Sequence, residues 1–247
     1  MKLVMQTLNN IPIITTNEFY SEGFSKLTEN GAKVYHFPMI NTSNLNSYID
    51  ISNYNCLIFT SKNGVKYFLK NNNKIKGKKI ITIGLKTAEE LKNYGFKADY
   101  ICSRNYSNEM SNELKKNNVL LNQNSLLVQG NLSNNSLFNE LKKFAKIEKL
   151  IVYKTNYNTK KDSKLDDLLN EKPYVIFTSP SCFEAFNNLY ETRKTRLISI
   201  GKTTTSYIER KGFKTTTTAK MQTYEGISES IIDFFKKNKQ WIIHNQD

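Results

Sequence analysis

Short apolar runs alternate with amphipathic stretches over most of the chain. The runs that we interpret as strands cover residues 11–15, 32–38, 55–60, 78–84, 126–130, 149–155, 174–179 and 196–201. Strands that alternate with helices are typical of an α/β protein with a parallel sheet. The runs at 55–60 and 78–84 are too apolar for a strand at an exposed edge, so we expect them inside a sheet.

The first amphipathic stretch, residues 18–30, illustrates the helical pattern. Phe19, Phe24 and Leu27 would share one face of this helix, and Gly31 would end it in the left-handed conformation. No low-complexity linker separates the runs, so the connections between domains must be short. The chain could therefore cross between domains more than once.

The chain carries an internal repeat of domain length. Residues 57–96 contain LIFTSKNGVKYF followed by ITIGLKTAEELKNYGF, and residues 175–213 contain VIFTSPSCFEAF followed by ISIGKTTTSYIERKGF. Thr60 and Thr178, which hold the same place in the two copies, are 118 residues apart. This period is too long for a solenoid but matches a whole domain. We therefore expect two similar domains, with the functional site in a cleft between them.

In the first copy, a hydroxyl is predicted at the start of two helices. Ser61 follows the strand at 55–60 and precedes an amphipathic stretch, which is the position of a helix N-cap. Thr87 and Glu90 have the spacing of a capping box, in which two side chains bond the first backbone N–H groups of a helix.

The second copy repeats this arrangement. Ser179 precedes a proline, which favours the first helical position, and Ser181 with Glu184 has the spacing of another capping box. Thr203 or Thr204 is predicted to cap the helix that follows the next strand.

All four turns would lie at the carboxyl edge of a parallel sheet, where open α/β proteins bind ligands. Each turn presents unpaired backbone N–H groups and the positive end of a helix dipole, which suits carboxylates or phosphates. Taken singly, each hydroxyl is also explained as an ordinary helix cap. Taken together, they favour a large, flexible ligand that carries many carboxylates.

The formal net charge of +14 favours a polyanionic partner, although lysines spread along the chain also fit a solvated surface. No RNP motif or arginine-rich tail is present, which argues against nucleic acid as a partner. No apolar run approaches the roughly 18–20 residues that span a bilayer. The first residues do not form a signal-peptide core, so we expect a cytoplasmic protein without a membrane partner.

Several classes of chemistry lack their motifs. The sequence contains no GxGxxG after its first strand, no GxxxxGK[ST] and no GxSxG. The 3 cysteines are widely spaced, which predicts buried thiols rather than disulfides or a zinc site, and the 2 histidines are not in a ligand spacing. The sequence therefore favours a function that positions a ligand without a cofactor or a metal.

The order and spacing of these motifs resemble the uroporphyrinogen-III synthase family over most of the chain. The resemblance rests on FTSxNGV at 59–65, IGxxTAxxL at 83–91, VYKT at 152–155, FTSPS at 177–181, IGxTT at 200–204 and MQTYEGI at 221–227. The chain departs from the family at ITTNEF near the first strand, where the family usually has threonine, arginine and proline. It also departs at Cys182 and at the Met-Gln pair before Thr223.

This resemblance implies an α/β fold of two similar doubly wound parallel-sheet domains, joined by a two-stranded linker, with a cleft between them. Applied to this sequence, it predicts a discontinuous domain of residues 1–33 and 156–247 and an inserted domain of residues 40–149. The linker strands would be residues 34–39 and 150–155.

The resemblance also implies a reaction that needs no cofactor. The linear tetrapyrrole hydroxymethylbilane, an octacarboxylate, loses water and closes to uroporphyrinogen III with inversion of ring D through a spiro intermediate. The bilane closes spontaneously without this inversion, so catalysis is largely control of conformation. The enzyme would be a monomeric lyase of haem and porphyrin biosynthesis, and direct handover of substrate from hydroxymethylbilane synthase stays open.

Tyr153, in the VYKT segment, would donate a hydrogen bond to the leaving hydroxyl, and a half-buried strand tyrosine is the alternative interpretation. The residues that would bind substrate are Ser61, Asn63, Gly64, Thr87, Ser179, Ser181, Arg196, Gly201, Thr203 and Thr204. Arg196 is a weaker candidate than the others, and a surface cation is the favoured interpretation of this residue.

Two other functions stay open at this stage. A domain pair of the same fold could bind a ligand or regulate another protein without catalysis, although the intact Tyr153 and both FTS turns argue against this. A nucleic-acid binder is suggested by charge alone and would show a steep salt dependence of its affinity. The sequence does not separate an active enzyme from a decayed copy.

Overall fold

The computed structural model describes residues 7–103 and 107–244, with side chains as far as residue 238. The chain divides into two compact units. We call Met1–Asn41 with Tyr157–Asp247 the discontinuous unit and Thr42–Asn156 the inserted unit.

The strands are numbered in chain order. They are β1 (Pro12–Thr15), β2 (Lys33–His36), β3 (Ile40–Asn44), β4 (Cys56–Phe59), β5 (Lys79–Ile83), β6 (Tyr100–Cys102), β7 (Asn124–Gly130), β8 (Lys146–Tyr157), β9 (Tyr174–Phe177), β10 (Arg196–Ser199) and β11 (Thr215–Thr218).

The helices connect these strands. They are α1 (Ser25–Glu29), α2 (Lys62–Asn71), α3 (Gly84–Asn93), α4 (Ser107–Lys116), α5 (Ser136–Lys142), α6 (Ser163–Leu168), α7 (Pro180–Leu189), α8 (Lys202–Arg210) and α9 (Tyr224–His244).

Each unit is organised around a parallel sheet. In the part of the chain that the structure describes, the discontinuous unit has the strand order β11-β10-β9-β1-β2, with parallel pairings. The inserted unit has the order β3-β8-β7-β4-β5-β6, with parallel pairings from β8 to β6. We call these the β1 sheet and the β4 sheet. In each sheet, the direction in which the chain adds strands reverses once. The reversal lies between β1 and β9 in the β1 sheet and between β4 and β7 in the β4 sheet.

Apolar packing covers both faces of each sheet. One face of the β1 sheet buries Phe177 against Phe183 of α7, and the other face buries Phe24. One face of the β4 sheet buries Phe59 against Phe68 of α2, and the other packs against α4 and α5. Burial of each of these rings stabilises the folded state by roughly 1.5–3 kcal/mol. The predicted doubly wound α/β architecture is confirmed in both units.

The predicted strands correspond to β1, β2, β4, β5, β7, β8, β9 and β10. The apolar pattern did not predict β3, β6 and β11, which have the sequences INTSN, YIC and TTTT. All three lie at the ends of their sheets. An edge strand is partly exposed, so it needs no continuous apolar run.

The first predicted helix is shorter than its sequence pattern. A 3-10 turn at Glu22–Phe24 precedes α1, and Ser21 caps it by accepting a hydrogen bond from the N–H of Gly23 at 3.3 Å. Phe24 is fully buried, but Phe19 precedes the helical segment and is 66% exposed. The prediction that Phe19 packs with Phe24 is therefore wrong, whereas Gly31, with φ 93°, has the predicted left-handed conformation.

The connections between the units differ from the predicted linker strands. Residues 34–36, which the prediction assigns to the linker, belong to β2 and pair with β1. The chain instead passes from one unit to the other within β3 and within β8, which are neighbours in the β4 sheet. Only residues 37–39 separate β2 from β3, and the predicted run at 32–38 ends before β3 begins.

The cysteines are buried free thiols, as the sequence predicts. Burial raises the pKa of Cys56 to about 11 and that of Cys102 to about 12, so both thiols stay protonated at neutral pH. No helix in the described part of the chain has the length and apolar content to cross a membrane.

Alanine at Phe24 and at Phe19 tests the corrected position of the first helix. Phe24→Ala removes a fully buried ring and should lower the free energy of unfolding by about 3–5 kcal/mol. Phe19→Ala, its matched control, should change this free energy by no more than about 0.5 kcal/mol. Urea denaturation followed by circular dichroism measures both, and equal losses would contradict the described packing.

Candidate active site

Helix α2 begins at a hydroxyl that the sequence predicts. Ser61 follows β4 with an extended backbone, at φ −160° and ψ 157°. Its Oγ accepts a hydrogen bond from the N–H of Gly64 at 3.0 Å, which confirms Ser61 as the N-cap. Such a cap stabilises a helix by about 1 kcal/mol. It also sets the start of α2, with its positive dipole end, at the carboxyl edge of the β4 sheet.

Tyr153 lies beside this cap. It is part of β8, and its hydroxyl oxygen is 3.4 Å from Ser61 Oγ. The register between β7 and β8 shifts after Gln129 and brings Gly130 opposite Tyr153. A Cβ atom at residue 130 would lie 2.3 Å from Cζ and 2.7 Å from the hydroxyl oxygen of Tyr153. Glycine is therefore required at 130 for the phenol to reach Ser61.

A second tyrosine supports the first. The rings of Tyr67 and Tyr153 are stacked, with centroids 5.6 Å apart and an interplanar angle of 24°. The Tyr67 hydroxyl donates to the carbonyl of Thr42 at 2.8 Å, which holds the ring in place. Lys66 Nζ and Lys70 Nζ lie 5.4 and 5.5 Å from the centroid of Tyr67 and add positive charge beside the stack.

Sequence reasoning missed Gly130, Tyr67 and Thr42. A glycine at the end of a strand run is the one available signal, because it often marks a close approach of another group to the backbone. The Tyr67–Tyr153 stack joins α2 to β8, and no local pattern predicts such a contact.

Three further residues of the first copy are predicted to bind substrate: Asn63 and Gly64 follow β4, and Thr87 follows β5. Asn63 and Gly64 are in the first turn of α2, and a Cβ atom at residue 64 would be 3.3 Å from Ser61 Oγ. Helix α3 begins at Gly84, with no side-chain hydrogen bond from its N-cap Ile83. Thr87 is consequently buried inside the helix, and the predicted capping box there is wrong.

The second copy places two serines together at the start of α7. Ser179 Oγ accepts a hydrogen bond from the N–H of Cys182 at 3.2 Å, which confirms this N-cap, and it lies 2.8 Å from Ser181 Oγ. The predicted capping box is wrong, because Glu184 instead accepts a hydrogen bond from the Tyr207 hydroxyl at 2.8 Å. Burial raises the pKa of the Cys182 thiol, so a neutral group lies beneath these hydroxyls.

Helix α8 begins without a side-chain cap. Gly201 is its N-cap residue, so the prediction that Thr203 or Thr204 caps the helix is wrong. Thr203 is exposed and Thr204 is buried. A Cβ atom at residue 201 would lie 2.7 Å from Gln222 Nε2, so the backbone of this turn packs directly against the MQTYEGI segment. Gln222 is another contact that sequence reasoning missed.

The predicted residues therefore fall into two sets. The carboxyl edge of the β4 sheet carries Tyr153, Ser61, Asn63, Gly64 and Thr87. The carboxyl edge of the β1 sheet carries Ser179, Ser181, Gly201, Thr203 and Thr204. Arg196 belongs to neither set, because it begins β10 and so lies at the opposite edge. There its guanidinium donates to the carbonyl of Lys172 at 2.8 Å and lies over the ring of Tyr174.

The sites contain hydroxyl groups and main-chain N–H groups rather than paired carboxylates. In the described residues, no group of three or more His, Cys, Asp and Glu side chains is placed to hold a metal ion. The sheets and their hydroxyl-bearing turns define an α/β protein of two doubly wound units that is suited to bind an anionic ligand.

Comparison with known proteins then gives the particular family. The model of the family described as uroporphyrinogen-III synthase HemD matches residues 23–229, which is most of the chain. The chain belongs to this family, whose members are cyclising lyases of porphyrin biosynthesis. Its function is the ring closure of hydroxymethylbilane to uroporphyrinogen III, with inversion of ring D and loss of water.

Solved structures show the same fold. Uroporphyrinogen-III synthetase from Helicobacter pylori 26695 is similar with a TM-score of 0.68 and 20% identity, over 90% of this chain and 99% of that chain. A mutant uroporphyrinogen III synthase from the extremely thermophilic bacterium Thermus thermophilus has a TM-score of 0.63 and 13% identity, over 92% of this chain and 99% of that chain. None of the curated protein sequences compared with this chain matches it.

Gly130→Ala tests the close approach that holds Tyr153. The new Cβ atom would overlap the phenol ring, so the ring must move, and we expect at least a tenfold loss of kcat/KM for ring closure. Gly95→Ala is the matched control, since nothing lies within 4 Å of a Cβ atom there. Its positive φ of 80° should cost stability but not activity. Steady-state kinetics measures both, and a fully active Gly130→Ala variant would contradict the described geometry.

Proposed function

We propose that Tyr153 is the catalytic residue of the ring closure and donates a hydrogen bond to the leaving hydroxyl of hydroxymethylbilane. The observation that supports this role is its contact with Ser61, at 3.4 Å, at the carboxyl edge of the β4 sheet. Ligands of open α/β sheets bind at this edge. A phenol is a hydrogen-bond donor at neutral pH, and the neighbouring Ser61 hydroxyl can hydrogen-bond to the phenol oxygen while the phenol donates to the leaving group.

The bond changes balance without any further reactant. The C–O bond of the terminal hydroxymethyl group breaks, and its oxygen leaves as water after taking up one proton. The carbon that remains bonds to ring D, first at the substituted position that gives the spiro intermediate. The bond from this position to the bridge carbon of ring C then breaks, and that bridge carbon bonds to the free α position of ring D. Loss of the proton from the free α position restores the pyrrole, so the net product besides the macrocycle is one water.

The helix starts of both units would bind the substrate carboxylates. In the inserted unit these are the first turn of α2, with Ser61, Asn63 and Gly64, and the buried Thr87 supports the neighbouring helix α3. In the discontinuous unit they are the starts of α7 and α8, with the residues Ser179, Ser181, Gly201, Thr203 and Thr204. Backbone N–H groups and the helix dipole favour a carboxylate at each start by about 0.3–1 kcal/mol.

The charge of the chain supports an octacarboxylate substrate. The formal net charge of +14 raises the local concentration of a polyanion, and Lys66 and Lys70 place part of this charge beside the Tyr67–Tyr153 stack. Because Arg196 lies at the opposite edge of the β1 sheet, we leave it out of the proposed binding set.

We further propose that the enzyme acts as a monomer in the cytoplasm, without a cofactor, and takes its substrate from hydroxymethylbilane synthase. Three buried free thiols suit a reducing compartment. A substrate that closes spontaneously to the wrong isomer favours rapid transfer from the enzyme that makes it.

Tyr153→Phe tests the proposed catalytic hydroxyl. The variant keeps the ring and its stack on Tyr67 but removes the donor, so turnover should fall more than tenfold while the fold stays intact. The assay supplies hydroxymethylbilane, oxidises the products and resolves the uroporphyrin I and III isomers by chromatography. A Tyr153→Phe variant with the wild-type rate would remove this hydroxyl from the mechanism.

Tyr54→Phe is the control for the loss of a phenol. Tyr54 is buried in the same unit but lies just before β4, at the amino edge of the sheet, so this variant should keep wild-type turnover. If the wild-type protein produced isomer I alone, at the uncatalysed rate, the chain would be a binding module of the same fold.

A further inference from the structure

Two buried carboxamide side chains have an oxygen that the fold itself does not use. Gln129 is 5% exposed and Asn17 is 4% exposed. Among the described residues, neither Gln129 Oε1 nor Asn17 Oδ1 has a hydrogen-bond partner. A buried acceptor without a donor costs about 1–3 kcal/mol, so each oxygen needs an explanation.

The strand register places Gln129 beside the FTS turn of the inserted unit. β4 and β7 are parallel, with Phe59 opposite Val128. Continuing this register by one residue places Thr60 opposite Gln129. Gly130, which follows Gln129 directly, is the residue that Tyr153 packs against.

Asn17 holds the same place in the discontinuous unit. β9 and β1 are parallel, with Ile176 opposite Thr15. Continuing this register by two residues places Thr178 opposite Asn17. Thr178 is the residue that matches Thr60 in the internal repeat. The two units therefore carry a buried carboxamide, with an unused acceptor, at equivalent positions.

Both positions coincide with the reversal of strand order. The inserted unit adds β5 and β6 on one side of β4 and places β7 on the other, and Gln129 is on β7. The discontinuous unit adds β2 on one side of β1 and places β9 on the other, and Asn17 follows β1. In open α/β sheets, ligands bind in the crevice at this reversal, at the carboxyl ends of the strands.

The chemistry of the unpartnered amide oxygen indicates which group of the substrate it binds. A carboxamide oxygen only accepts hydrogen bonds, so it does not suit the carboxylates of a tetrapyrrole. The donors that a linear tetrapyrrole repeats along its length are its pyrrole N–H groups. We propose that Gln129 and Asn17 are substrate-binding residues whose side-chain oxygens each accept a hydrogen bond from a pyrrole N–H. This inference rests on the proposed function, because it names the substrate group that the same strand edges bind.

Each oxygen is covered by protein in this structure, so binding requires the amide to turn toward the substrate. The last torsion of an Asn or Gln side chain has a broad energy minimum, which permits such a turn. Asn17 Nδ2 donates to the carbonyl of Phe19, in the loop that follows β1.

Gln129→Met and Asn17→Leu test the proposal, since each keeps the approximate volume and removes the acceptor. Loss of one N–H···O hydrogen bond should raise the KM for hydroxymethylbilane about three- to tenfold in each variant. The kcat should stay unchanged, because the bond is made equally in the ground state and the transition state. The melting temperature of Gln129→Met should stay equal or rise, because a buried acceptor without a partner is removed. Asn17→Leu should be less stable, because it also removes the hydrogen bond to the Phe19 carbonyl.

Asn72→Leu is the matched control. Asn72 also has a buried Oδ1 with no partner among the described residues, but it follows the carboxyl end of α2, away from the proposed site. This variant should keep the wild-type KM even if it is less stable. A wild-type KM in both Gln129→Met and Asn17→Leu would overturn the proposal, and so would an equal rise of KM in Asn72→Leu.

A second measurement decides the proposal independently of catalysis. Ligand-observed NMR compares binding of a pyrrole that carries two carboxylate side chains with binding of its N-methyl derivative. Wild-type protein should prefer the N–H form about three- to tenfold, and the double variant Asn17→Leu/Gln129→Met should lose this preference. Equal binding of both pyrroles by the wild type would overturn the inference. A wild type that shows the preference but forms no isomer III would refute the proposed function alone.

Discussion

One hydrogen bond organises the candidate site of each unit. In both, a serine hydroxyl accepts from a backbone N–H in the first turn of a helix, at 3.0 Å for Ser61 and 3.2 Å for Ser179. This bond sets where the helix begins and brings its positive end to the carboxyl edge of the sheet. The same two oxygens lie next to the hydroxyls of Tyr153 and Ser181. The two copies differ in the group beside this shared cap, which is a tyrosine in one and a second serine in the other.

The rest of the site depends on close contacts with the backbone. Gly130 admits the Tyr153 ring, and Gly201 admits Gln222, at distances that no side chain would allow. A site of this kind presents main-chain donors and neutral hydroxyls in fixed places, with few charged groups of its own. That composition suits a reaction in which the bilane is reactive without help and the protein selects one folded conformation of it.

The sequence predicts the interior of this fold better than its edges. The buried strands β4, β5, β9 and β10 are continuous apolar runs, whereas β3, β6 and β11 are short or polar because they lie at the ends of their sheets. The caps at Ser61 and Ser179 were predictable because a cap involves residues close in sequence. Thr87 was misplaced because α3 starts directly after β5, at Gly84.

Contacts between distant strands account for what sequence reasoning missed in the candidate site. The packing of Tyr153 on Gly130 depends on a register shift between β7 and β8. The equivalence of Asn17 and Gln129 appears only when the registers of two separate sheets are compared. Hydrophobic periodicity carries no information about either.

The path of the chain between the units has a consequence for how such a protein arises. The inserted unit begins in β3 and ends in β8, and Asn156 Nδ2 donates to Ser43 Oγ at 3.0 Å. The two ends of a whole folded unit are thus already together. For the discontinuous unit, the inserted unit takes the place of a long surface loop. Closing such a loop costs conformational entropy, but the inserted unit folds by itself and holds its own two ends together, which offsets this cost. A duplicated gene segment can enter a parent fold at such a point without separating the strands on either side.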